Sequence, residues 1–223
     1  ADLHALNLDK RGKSRISLDT SVKLTKTAKG DISGEFNIGD LNLENSDGRY
    51  DIGDIILISS AKNTGYEMSL NSSFADGYFK GTASVFDFVK DLKGLTLQKE
   101  LPAMFKDSSY VWSGNSYGIH FQCYNTKELL SFAIPGLWIE DGTSINGSID
   151  DEGIFSADIS SGRLAFKKQY LKGLKGRFSN EDEMLSGSLE CEDMKIATLM
   201  LKNNRFNATA DDGYMTLDCE FDN

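Results

Sequence analysis

Proline is almost missing from this chain. Its 223 residues include two, Pro102 and Pro135, against 21 glycines. Proline removes a donor from a β-ladder, so a chain this poor in it is open to long strands. Long apolar runs are missing too. No stretch of 18 apolar residues occurs, so no segment reads as a membrane-spanning helix. No signal peptide opens the chain, and "ADLHALNL" already reads as mid-strand. The sequence is therefore expected to be an internal piece of a longer protein. Cysteine is scarce and odd in number: Cys123, Cys191 and Cys219, with no CxxC spacing. That gives neither a disulfide framework nor a zinc site. Basic residues are in deficit, 24 against 34 acidic, for a net charge of -10. A nucleic-acid surface needs clustered Lys and Arg, and so does an anionic membrane surface; neither is expected as a partner.

What is present is alternation. "SRISLDTSVKL" places Ile16, Leu18, Val22 and Leu24 on even positions. "GYEMSLNSSF" does the same with Tyr66, Met68, Leu70 and Phe74, and "YGIHFQC" with Tyr117, Ile119, Phe121 and Cys123, on odd ones. A period of two puts each set on one face of a strand and leaves the other face polar. Sheets of that kind are usually antiparallel. Asp-Gly pairs at Asp47-Gly48, Asp76-Gly77, Asp141-Gly142 and Asp212-Gly213 suit hairpin turns, with Glu152-Gly153 a near match. The stretch "NSSFADGYFKGTAS" is read as strand, Asp76-Gly77 turn and returning strand.

Two segments break the alternation. "VFDFVKDLKGL" has helical spacing from Val85, and a helix is expected near 85–105. "NTKELLSF" offers Asn125 as N-cap with Glu128 three residues on, giving a second helix near 125–133 that Pro135 and Gly136 stop. Near the C-terminus, "GRFSNEDEMLSGSLEC" and "NRFNATADDGYMTLDC" repeat at an offset of 28, shown by Cys191 and Cys219 (219 − 191 = 28). One period holds two strands and their turns. The two cysteines are then separated by a strand and are expected as free thiols on the apolar face, too far apart to bridge.

The chemistry-bearing residues read blandly. His120 lies between Ile119 and Phe121, hence on the polar face, away from Cys123. The acidic clusters "DDEG", "NEDE" and "DDG" fall between alternating runs and lack EF-hand spacing, so they read as turn tips. Trp112 and Trp138 could stack on sugar, but a core or groove wall is favoured; Trp112 is expected on a strand's apolar face, level with Tyr110. There is no phosphate-cradling loop and no nucleophile elbow. No catalytic residue, metal or cofactor is expected.

"SSFADGYFKGTASVFDF", then "ELPAMF", then "NTKELLSFAIPGLWIEDGTSINGSID" resembles, in order and wording, part of the TamB-type translocation and assembly module proteins of the AsmA-like group. The phrases FADG-x-x-x-G, LL-x(4)-PGL-x-I-x-DG-x(4)-G and "LKGLKGRF" carry the likeness, which covers the chain from about Asp31 onward. The resemblance implies a periplasmic segment of a protein anchored in the inner membrane of a Gram-negative cell. It implies a long curled sheet, a β-taco with an apolar inside. It also implies movement of phospholipid toward the outer membrane, or a part in outer-membrane protein assembly.

The expected fold is therefore all-β: one elongated, curled antiparallel sheet over residues 1–223, forming an apolar trough with one or two short helices. The helix signals are too few to cover its apolar face, which leaves curling or a second sheet. The residues expected to face acyl chains are Ile16, Leu18, Val22, Leu24, Tyr66, Met68, Leu70, Phe74, Ile119, Phe121, Leu189 and Leu217. Phospholipid is the expected ligand. An outer-membrane barrel assembly protein is a possible partner through other parts of the chain. The alternatives are a module that accepts a β-strand from an outer-membrane client and a carbohydrate-active sandwich using Trp112 or Trp138.

Overall fold

A computed structural model describes residues 1–3, 12–26, 32–62, 65–99, 110–181, 184–211 and 213–222. All its strands belong to one unclosed, curled, antiparallel sheet of thirteen strands. They are β1 (Arg15–Lys26), β2 (Ile32–Asn45), β3 (Gly48–Lys62), β4 (Gly65–Ser72), β5 (Ala75–Gly81), β6 (Tyr117–Cys123), β7 (Leu137–Ile139), β8 (Ser144–Ile149), β9 (Phe155–Phe166), β10 (Gln169–Ser179), β11 (Leu185–Ile196), β12 (Leu199–Asp211) and β13 (Tyr214–Asp222). Each strand pairs with the next in sequence from β1 to β13, except that short β7 steps off the path and pairs β9 beyond the end of β8. Between β5 and β6 lies helix α1 (Val85–Lys93), which runs on into a π-helical turn at Gly94–Gln98; helix α2 (Lys127–Ala133) follows β6.

Alternation makes the strands, but the turns are not all where Asp-Gly suggests. Between β12 and β13, Asp211 pairs with Tyr214 and Gly213 has φ +84°, while Asp212 lies outside the described residues. Asp76-Gly77 is not a turn. Both residues lie inside β5, where Asp76 pairs Asn71 and Gly77 pairs Leu70. The reversal is at Ser73-Phe74, closed by the Ser72 hydroxyl, which donates to the Ala75 carbonyl at 2.8 Å. Gly77 is there for packing. A Cβ at that position would stand 3.0 Å from Phe121 Cδ2 on the neighbouring strand.

The alternation also jumps from two to three along one line of the sheet. Leu171 is followed by Leu174, Cys191 by Met194, and Leu201 by Asn204, all turned to the same side. Gly173 (φ +62°) and Asn203 (φ +48°) take left-handed backbone there, and Asp40 (φ +50°) does the same in β2 between Ile38 and Leu41. An extra residue of this kind bends a strand and sharpens its twist. Gly173 needs its missing side chain, since a Cβ would meet the Glu192 side chain at 2.6 Å. In β9–β12 this bending buries Leu174, Cys191, Met194 and Leu201 with no described helix above them.

Elsewhere the helices do more than expected. Both lie on the apolar face. Phe132 of α2 is buried with Leu41, Leu43 and Ile52, and its ring meets Tyr50 edge-on at 5.8 Å. Phe88 of α1 packs edge-on against Phe79 and Tyr117. The expected cap of α2 is displaced by one residue. Thr126 is the N-cap, while Asn125 sits in left-handed backbone (φ +49°) with its N–H donating to Asp141. The true capping box opens α1, where Ser84 and Asp87 exchange backbone bonds. The final stretch of the first expected helix, from 100 to 105, lies outside the described residues.

Candidate functional site

The register assembles one row of residues across the whole sheet: Val22, Phe36, Leu57, Leu70, Gly77, Phe121, Ile145, Ile159, Gly176, Leu189, Phe206 and Cys219. Each is directly opposite the next, and none is polar. A parallel row runs beside it through Leu24, Gly34, Ser59, Met68, Phe79, Ile119, Gly147, Ala157, Phe178, Gly187, Ala208 and Leu217. Ser59 is its one polar member. At about 4.8 Å per strand, eleven steps make this apolar band roughly 50 Å long.

The opposite face is wet. Its corresponding row runs Lys23, Glu35, Ile58, Ser69, Tyr78, His120, Asn146, Asp158, Arg177, Ser188, Asn207 and Asp218. Arg205 reaches Glu190 at 2.8 Å and Glu220 at 3.9 Å, and Glu67 lies between Lys62 and Lys80. Exposed pairs of this kind contribute little to stability, about 0–1 kcal/mol each. Their use is to keep this side in water.

Strand β4 shows how the helices frame the band. Tyr66 and Met68 pack into the cluster beneath α1, Phe74 in the turn after the strand packs beneath α2, and Leu70 lies between. Thus α1 and α2 stand on either side of a strip that includes Leu57, Leu70, Gly77 and Phe121. Toward β1 and β13 the band is open. Val22 is 50% exposed, Leu24 67% and Leu217 57%.

All twelve residues expected on the apolar wall share this face, but not one environment. Ile16, Leu18 and Phe74 contribute to the packing under α2, Tyr66 and Met68 to that under α1, and Leu189 to the self-covered cluster of β9–β12. Leu70, Ile119 and Phe121 occupy the middle of the band; Val22, Leu24 and Leu217 stand at its two edges. Cys219 is on this face and exposed on the edge strand, while Cys191 is buried in β11, with β12 between the two strands. Burial pushes the Cys191 thiol up.

The chain matches no protein-family model, no curated protein and no solved structure.

One buried charge was not expected. Asp91 of α1 is 4% exposed. Four side chains donate to its carboxylate: Ser113 at 2.6 Å, Tyr117 at 2.7 Å, Asn115 at 3.1 Å and Tyr110 at 3.2 Å. Burial pushes the Asp91 carboxyl up, but these donors outweigh it and hold it below the usual range. Burial and the Asp91 charge in turn push both tyrosines well above their usual range, so they stay protonated donors. The donors come 19 to 26 residues after Asp91 and have no motif spacing. Together they tie α1 to the segment preceding β6, and so to the wall of the band.

Trp112 belongs to that segment. It is not on a strand as expected; residues 110–116 are irregular. Its indole N–H donates to the Asp151 carbonyl at 2.8 Å, and its ring lies over Gly153. Trp138 is half-exposed on the polar face of β7. His120 is exposed on the polar face and bonds Asn146 at 2.6 Å. Of the acidic turns, Asp150 is more than a tip, since its carboxylate accepts from the Glu152 and Ile154 N–H groups at 3.0 and 2.8 Å. Residues 182–183 and 212 of the other two clusters lie outside the described residues. Among the described residues, no three His, Cys, Asp or Glu side chains converge as a metal site.

Proposed function

We propose that this chain is a segment of a conduit that carries phospholipid acyl chains along the apolar face of its sheet, in the manner of the TamB-type proteins it resembles, between inner and outer membranes. The observation that supports this reading is the row from Val22 to Cys219, apolar at every step across twelve strands. Transfer from water is worth about 0.8 kcal/mol per CH₂, so an acyl chain of about 15 methylenes would gain roughly 12 kcal/mol by lying on such a surface. A wall without a polar residue in this row spreads that gain along its length. Movement would follow the row, across the strands, while headgroups stay in water on the open side.

Photo-crosslinking tests the reading. A crosslinking amino acid at Leu57, Leu70 or Phe121, in protein expressed in a Gram-negative host, should capture phospholipid; the same group at Asn146 or Ser188 on the polar face should not. A carboxylate placed in the row, as in Leu70→Asp, would be costly beside acyl chains. It should abolish capture at Leu57 with the fold retained by circular dichroism. Equal capture on both faces, or none at the apolar positions, overturns the conduit.

A further inference from the structure

One end of the sheet departs from the pattern of a dry face and a wet one. The β9–β10 hairpin turns at Lys167-Lys168, between the paired Phe166 and Gln169. The β11–β12 hairpin turns at Ala197-Thr198, between the paired Ile196 and Leu199. Both reversals lie at the same end of their strands, and β7 joins them there by pairing Leu137 with Phe166. The turn before β7 is tied to the first hairpin, since Lys167 N–H donates to the Gly136 carbonyl at 2.7 Å. On the trough side this end carries Leu137, Phe166, Ile196 and Leu199. On the other side, wet elsewhere, the row of opposed residues reads Trp138, Ala165, Tyr170, Lys195 and Met200. Trp138, Phe166, Ile196, Leu199 and Met200 are each between 44% and 57% exposed. Other turns of the sheet are polar, as at 45–48 (NSDG) and 150–153 (DDEG).

Charge is sorted along the same axis. The next wet-side row inward is Arg163, Lys172, Asp193 and Lys202, with Asp222 opposite Lys202 and Glu140 bonded through its N–H to the Arg163 carbonyl. Acids and bases mix there. Beyond this row stand Lys167, Lys168 and Lys195, and no acidic residue. Among the described residues, none of these three lysines is ion-paired. The chain's net charge of -10, which argues against an anionic partner surface, is an average that this end does not share.

A protein partner laid against the sheet would cover one face. Strand ends that are apolar on both faces fit a medium that surrounds them. The mixed row stands three residues behind Phe166, about 10 Å at the usual strand rise. Apolar faces of interfacial proteins sit about 5–10 Å into the boundary of headgroups and acyl chains. Tryptophan, tyrosine and lysine favour that boundary, because each joins an apolar body to a polar tip. Lys167 already folds back, its Nζ 5.1 Å over the Phe166 ring. We infer that the tips of β7, β9–β10 and β11–β12 dip into the surface of an anionic lipid bilayer, with Phe166, Ile196, Leu199 and Met200 below the headgroups and the three lysines reaching back to the lipid phosphates. This contact holds whatever moves along the apolar band.

Flotation of the full chain with vesicles tests it. Vesicles of phosphatidylcholine mixed with phosphatidylglycerol should carry the protein upward, and vesicles of phosphatidylcholine alone should carry less. Lys167→Gln with Lys168→Gln should lower binding to the mixed vesicles about thirtyfold, since each lysine near an anionic surface contributes about fivefold. Phe166→Ser with Leu199→Ser should abolish binding to both. All four positions are exposed, and circular dichroism checks the fold. Fluorescence reads the depth. On the mixed vesicles Trp138 emission should shift to the blue and be quenched by brominated acyl chains. Trp138→Phe, which keeps Trp112, should lose both signals. Absence of binding, equal binding to both compositions, indifference to both double variants, or quenching that survives Trp138→Phe each overturns the inference. So does self-association in sedimentation equilibrium that Phe166→Ser with Leu199→Ser removes while no vesicle is bound, which would assign the patch to a second copy. Leu70→Asp should leave every one of these readouts unchanged, so the bilayer contact and the conduit fail separately.

Discussion

Asp91 is a negative charge taken into the core, and its neighbours are arranged for the charged form alone. Asn at this position would turn an amide N–H₂ toward four groups that themselves donate. Losing charged hydrogen bonds and leaving buried donors unmatched costs about 2–4 kcal/mol. Asp91→Asn should lose that much stability in denaturant unfolding at neutral pH. The sign of the pH dependence follows from a folded-state pKa held below the unfolded value of about 3.9. The contribution is fully present above about pH 4 and is lost as pH falls through the folded-state value. The gap between wild type and Asp91→Asn should therefore be flat from pH 7 to about pH 4 and narrow below it. A gap that persists unchanged in acid would mean the carboxylate's charge is not what these donors recognise. None of this was legible in the chain, because the four donors carry no spacing that a buried carboxylate imposes.

Helix α1 depends on its first turn. The Ser84 hydroxyl accepts from Asp87 N–H, and the Asp87 carboxylate accepts from Ser84 N–H. Ser84→Ala should cost about 1 kcal/mol. Because α1 covers Phe79 and Tyr117, hydrogen exchange should quicken in α1 and at the ends of β5 and β6 that it covers, and stay unchanged in β10–β12. Uniform change across all strands would show that the helix is not a separate cover. At this scale the strands were readable wherever a wet face alternates with a dry one, as in Val22–Leu24 or Tyr66–Leu70. The turns were less so. Asp76-Gly77 has ideal hairpin residues, yet cross-strand packing against Phe121 uses that glycine inside a strand, and a serine hydroxyl makes the turn instead. Tyr110 and Trp112 have strand spacing but bond to Asp91 and the Asp151 carbonyl rather than to a ladder. The kinks at Gly173 and Asn203 change the period from two to three, which a strict alternation reading takes for the end of a strand.

Across the whole molecule, each strand on the path from β1 to β13 is held by its neighbours in the sheet, which apart from short β7 are its neighbours in sequence, and β1 and β13 lie at the two ends of that path. That geometry settles how the protein bears load. A pull applied between Ala1 and the end of β13 acts across the strands, so it opens the hydrogen bonds of each pair one after another instead of shearing a full ladder at once. The sheet is a zipper along the same axis on which its apolar rows lie. Single-molecule stretching from the termini should show a staircase of small, low-force steps, beginning at β13, whose residues are all exposed. A single high-force rip would contradict it. A sheet that yields strand by strand can lengthen under strain and fold back when slack returns, without ever giving up all of its structure at once.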